Sequence, residues 1–169
     1  MAGFIRVMNN LFIYLLFIVL FGSYLYQYLH GVLPCYLCLM QKLGMLGVAV
    51  AILMHFRFGV KAQYYGLAIL SALLGRAFSL RQIAMHLCPE FPTYGEGVLG
   101  LDLFVWAFIV FSCSIFACAV LTIFYGVAKK REFPPAWGFA EKLSFWAIFL
   151  MAVSHFFTTL IECGWSGCI

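Results

Sequence analysis

Pro34-Cys35-Tyr36-Leu37-Cys38-Leu39-Met40-Gln41-Lys42 sits between two long apolar runs, residues 11–29 and 38–56, and its reading decides the fold. About 20 apolar residues are what a helix needs to cross a bilayer, so this stretch joins two spanning helices and Cys38 opens the second. Gly31 and Pro34 mark the turn. Two thiols separated by two residues at a helix N-terminus can close a small disulfide. There the unpaired backbone N–H groups and the macrodipole favour thiolate, which makes a pair redox-active rather than inert. Lys42 falls one turn beyond Cys38 on the same helix face, placing a cation beside a potential thiolate. The CxxC spacing by itself is shared by zinc sites, redox sites and chance.

Outward from this stretch the composition agrees with a membrane setting. The 169 residues are 66% hydrophobic and 9% charged, where a soluble domain carries about a quarter charged residues. That length allows four or five spans and almost no extramembrane domain, so chemistry belongs in short loops, in tails or between helices. The expected fold is an all-α integral membrane protein, one membrane domain covering residues 1–169: a four-helix core plus one, with spans at 11–29, 38–56, 64–87, 100–126 and 144–161. The first run is read as a retained helix, because a cleaved signal peptide would have a shorter apolar region ending in a small-residue site. The formal charge of +4 implies no nucleic-acid partner, since the basic residues cluster where membrane topology puts them.

Those basic residues set the orientation. Arg6, then Arg57 and Lys61, then Lys129, Lys130, Arg131 and Lys142 fall at the N-terminus and in the second and fourth connections, which belong in the cytoplasm. The CxxC loop, the loop of residues 88–99 with Cys88, and the tail holding Cys163 and Cys168 then share the outer face, where disulfides persist. Seven cysteines are an odd count, so at least one is unpaired or shared. Cys113 and Cys118, in the fourth run, read as buried free thiols acting as small hydrophobes. Arg76 and Arg81 lie within the third run, where a guanidinium faces the bundle, a cavity or a ligand, or snorkels to the interface.

Two cysteine pairs on an oxidising face, one beside a cation at a membrane helix end, can form a relay by thiol–disulfide exchange. A lipid-soluble quinone suits the terminal acceptor. It can reach Cys38 laterally in the bilayer, and Lys42 can stabilise charge on a thiolate or on the reduced ring.

In Cys35-Tyr36-Leu37-Cys38-Leu39-Met40-Gln41-Lys42 after a first span, in Arg81-Gln82 and His86 closing the third, and in size, the sequence resembles the DsbB-type family, disulfide bond formation protein B. The resemblance covers residues 11 to about 106. It implies an enzyme of the bacterial inner membrane, N-terminus cytoplasmic and C-terminus periplasmic. Such an enzyme reoxidises a periplasmic thioredoxin-fold dithiol oxidase of the DsbA type and passes the electrons to ubiquinone or menaquinone. The residues expected to be catalytic are Cys35 and Cys38 together with the tail pair Cys163 and Cys168, and Lys42, Arg81 and His86 are expected toward the quinone; the implied partners are the dithiol protein, the quinone and membrane lipid. Two departures stand out. The family usually has arginine at the position of Lys42, and lysine keeps the charge without the planar fork of donors. Best-known members have four spans and carry the second cysteine pair in a long loop after the third, whereas here that loop is short and holds only Cys88. The tail Cys163-Gly164-Trp165-Ser166-Gly167-Cys168 is the candidate replacement, with Cys88 in reserve.

Other classes of function stand beside this one. Cys35, Cys38, Cys163 and Cys168 could make a four-thiolate zinc or copper site, against which stand the oxidising face and the lack of histidine at metal spacing. A multispan protein stapled by disulfides would leave Lys42 and Arg76 unexplained. Outward electron flow would need reactive cysteines within the membrane, and Cys113 and Cys118 do not form such a pair.

Overall fold

All five prolines of the chain fall between the apolar runs, so nothing within a run interrupts the i to i−4 ladder. In a bilayer that ladder is what satisfies the backbone. The computed structural model describes residues 2–31, 35–87, 98–128 and 138–163. They form five helices: α1 (Ala2–Leu29), α2 (Tyr36–Phe58), α3 (Ala62–His86), α4 (Leu103–Ala128) and α5 (Phe139–Cys163). Each is long and apolar enough to cross a membrane. The fold is all-helical among the described residues, as the apolar runs led one to expect.

The central helix is α2. Half of its span is buried, against 28% or less for the others, and it touches all four of them. On one flank it packs against α3 and α4, on the other against α1 and α5. Small residues allow the tight flank. A Cβ on Gly44 would meet the Gly75 Cα at 3.0 Å, and a Cβ on Gly75 would lie 2.1 Å from the ring of Phe111. Helices that lack a hydrophobic drive to associate in lipid gain their contact in this way, by close backbone approach. At the far end of α2, Gly59 takes a left-handed φ of 80°, which lets the chain reverse directly into α3.

A polar seam closes the end of the bundle away from the cysteines. Arg6 Nε donates to Glu141 Oε1 at 2.5 Å, Asn10 Nδ2 donates to the same oxygen at 3.2 Å, and Ser144 Oγ donates to Asn10 Oδ1 at 3.3 Å. Because these groups satisfy one another, α1 is helical from Ala2 and α5 from Phe139, both well ahead of the apolar residues that start the runs. The two mid-span cysteines part company. Cys118 is buried as expected, but Cys113 is exposed on the outer face of the bundle; five residues along a helix turn the side chain by well over a quarter turn, so only one of the pair can face inward.

Candidate disulfide and cavity site

The loop delivers Cys35 to the N-cap of α2, with φ −76° and ψ 152°, and Cys35 and Cys38 are joined by a disulfide with Cα atoms 5.1 Å apart. The backbone N–H of Cys38 donates to Cys35 Sγ at 3.1 Å. One of the unpaired donors of the first turn is thus spent on sulfur, the arrangement that favours a thiolate once the bond opens.

A second donor reaches the pair from α3. Gln82 Nε2 lies 3.5 Å from Cys35 Sγ and 3.6 Å from Cys38 Sγ. Its Oε1 accepts from Gln41 Nε2 at 2.7 Å, which fixes the face of the amide turned to the sulfurs. Gln82 is 2% exposed and Gln41 is also buried. Two buried amides that satisfy each other and leave an N–H on a disulfide form a stiff, oriented dipole.

Beside them lies a cavity of about 520 Å³ between α1, α2 and α4, with Gln82 of α3 at its edge. Cys38 lines it; Cys35 does not. Its polar end is made by Cys38, Gln41, Lys42, Gln27 and Gln82, and its walls by Ile18, Val19, Met45, Phe104, Trp106 and Ala107. Trp106 Nε1 donates to the Val98 carbonyl at 2.9 Å and holds the turn at 98–101 over the cavity, with Leu99 in the left-handed region at φ 55°.

Lys42 is 7% exposed. Its Nζ donates to Gln27 Oε1 at 2.5 Å and sits 3.8 Å from the centroid of the Tyr24 ring. The cation is therefore held inside the bundle by two groups of α1, on the wall of the cavity that Cys38 also lines, instead of snorkelling to an interface.

The other sequence candidates are placed differently. His86 hydrogen-bonds the Gln82 carbonyl through Nδ1 at 2.8 Å, and its ring lies 4.7 Å from that of Phe104, so it borders the site without lining the cavity. Arg81 is exposed and does not line it. Arg76 lays its guanidinium over the Phe108 ring at 4.7 Å, between α3 and α4. The side chain of Cys163, and Cys88 and Cys168 altogether, lie outside the described residues. The four-thiolate alternative needs two of these.

Sequence reading did not single out Gln27, Gln41, Tyr24 or Trp106. Gln41 carried a signal, being three residues from Cys38 on the same face. Gln27 and Tyr24 carried only the weak one of a polar atom in an apolar run.

A family model described as Disulfide bond formation protein DsbB matches residues 6–95. Among curated relatives, Disulfide bond formation protein B of Azoarcus sp. (strain BH72) is 37% identical over 92 residues, covering 52% of this chain and 55% of that protein. The chain thus spans about half the length of the curated relative it matches. No solved structure matches.

Proposed function

Since the chain belongs to the DsbB family, we propose that it is a membrane thiol–disulfide oxidoreductase that takes two electrons from a periplasmic dithiol protein of the DsbA type and passes them through Cys35 and Cys38 to ubiquinone or menaquinone. The observation that carries this reading is the pairing of a disulfide at a helix N-terminus with a cavity that one of its sulfurs lines and a buried cation flanks.

The donor set suits a quinone. Ligand sites are mostly apolar cavities of about 300–1,000 Å³ with a few convergent polar groups. Here the apolar walls would hold a ring, and Lys42, with the amide of Gln41 beside it, would supply N–H donors for a carbonyl oxygen at the polar end. When bound, the quinone supplies an acceptor of two electrons and two protons.

In the proposed sequence a dithiol reduces the Cys163–Cys168 disulfide, and its two electrons leave it with a new disulfide. The reduced tail then attacks Cys35–Cys38. One sulfur of that bond forms a mixed disulfide and the other leaves as thiolate, and the second tail thiol resolves the intermediate. Cys38 faces the cavity, so it is the sulfur that hands electrons on. The Gln82 N–H and the first-turn amides stabilise thiolate as it forms, and the Lys42 ammonium offsets negative charge on the cavity side. The positive-inside pattern of the basic residues supports an orientation with the N-terminus in the cytoplasm and the cysteine-bearing tail in the periplasm of the bacterial inner membrane, the chain forming a single five-span domain.

Trapping tests the relay. With Cys35→Ser and, separately, Cys168→Ser, mixed disulfides linking the tail to the dithiol partner or to the CxxC loop are expected to accumulate on non-reducing gels. A Cys163→Ser, Cys168→Ser double variant that oxidises the partner at the native rate would remove the tail from the relay and leave Cys88, or direct attack on Cys35–Cys38.

A further inference from the structure

α5 lies beyond the matched residues 6–95, yet one of its side chains stands a single residue away from the cation of the cavity. His155 is 8% exposed. Its Nδ1 lies 2.8 Å from the Tyr24 hydroxyl, and the face of that same ring carries Lys42 Nζ at 3.8 Å. Lys42 and Gln27 line the cavity, while Tyr24 and His155 stand behind them.

An imidazole buried among apolar helices needs a hydrogen-bond partner, and here the phenol is that partner. The benefit runs the other way as well. A tyrosine near a helix end ordinarily turns its hydroxyl toward the interface and its ring into the apolar layer. Anchored to His155, the Tyr24 hydroxyl turns toward α5, and the ring face lies under the ammonium. With Nδ1 accepting, the donated phenolic proton also leaves the ring richer in electrons, which strengthens its hold on a cation. Without that anchor the long lysine stem has the freedom to carry its charge toward water.

We propose that His155 is a positioning residue for the quinone site: through Tyr24 it holds the Lys42 ammonium on the cavity wall. This rests on reading the cavity as the quinone site, and it makes α5 a working part of that site.

The test reads Lys42 directly, in the purified full chain without quinone. A water-soluble amine-acylating reagent is applied and modification at Lys42 is followed by peptide mass spectrometry, with exposed Lys142 as internal reference. His155→Leu, which fills the site with an apolar side chain, and Tyr24→Phe, which keeps the ring and removes only the hydroxyl, are both expected to speed acylation of Lys42 about fivefold or more, the factor for losing about 1 kcal/mol of cation–π attraction. His155→Asn, whose side-chain oxygen stands close to the place of Nδ1, is expected to restore the native rate. Lys142 is expected to react alike in all. Titration with a short-chain quinone should show weaker binding in His155→Leu, and no added loss when that change is made on Lys42→Ala. Native acylation of Lys42 in both His155→Leu and Tyr24→Phe overturns the proposal. A Lys42→Ala protein that binds the quinone as tightly as the native chain overturns instead the reading of the cavity.

Discussion

Gln82 of α3 turns its amide nitrogen to Cys38 of α2 at 3.6 Å, across the helix interface and at the edge of the cavity. Because Gln41 holds the amide oxygen, this N–H is aimed before any chemistry begins. A preorganised donor contributes where charge develops, here on the leaving sulfur. Gln82→Leu is expected to slow reduction of Cys35–Cys38 by a dithiol about tenfold, less than the loss of an oxyanion-hole donor because sulfur accepts weakly. Gln82→Glu should slow it more, by setting a carboxylate against a forming thiolate. Stopped-flow of the isolated exchange step distinguishes these outcomes from a change in quinone binding.

Lys42 is expected to matter on the cavity side. Lys42→Ala should lower turnover with quinone by about ten- to a hundredfold while leaving exchange between Cys35–Cys38 and a small dithiol nearly unchanged. Lys42→Arg should keep most of the activity, since it keeps the charge. Equal loss in both half-reactions would mean that Lys42 serves the disulfide rather than the acceptor.

The tight flank of the bundle gives a prediction free of any functional reading. Gly75→Ala places a methyl group 2.1 Å from the ring of Phe111, which is fully buried and has to shift to admit it. A loss of about 1–3 kcal/mol in stability is expected, as for overpacking in a dense core. Phe111→Leu should recover part of it. Thermal unfolding in detergent of the single and double variants measures the coupling.

Much of the fold was legible because lipid forces backbone pairing into helices and the five apolar runs are separated by prolines and basic residues. The position of Lys42 one turn past Cys38 followed from helical spacing alone. What spacing could not supply was the partner of each polar group, because Gln27, Tyr24 and Gln82 meet Lys42 and the cysteines only through packing of separate helices. Asn10 and Glu141 were likewise illegible as a pair, because both lie just outside the apolar runs of the sequence and only the extension of α1 and α5 beyond those runs brings them together. Arg81 drew attention by its charge within a span, and the structure places it on the exposed side of α3, away from the cavity. The assignment of Cys163 and Cys168 stands on their place in the chain, on the same expected face as Cys35 and Cys38, and lies beyond the residues that carry the resemblance.

The central claim is that electrons pass from the Cys35–Cys38 pair to a quinone. The direct measurement starts from the purified, fully reduced protein without oxygen, adds one equivalent of a short-chain quinone, and follows both the quinone absorbance and the alkylation state of Cys35 and Cys38 by mass spectrometry. One quinone reduced for each Cys35–Cys38 disulfide formed is the expected result, with none reduced in Cys38→Ser. If both thiols remained alkylatable while the quinone stayed oxidised, or if Cys38→Ser reduced it at the native rate, the account would be contradicted.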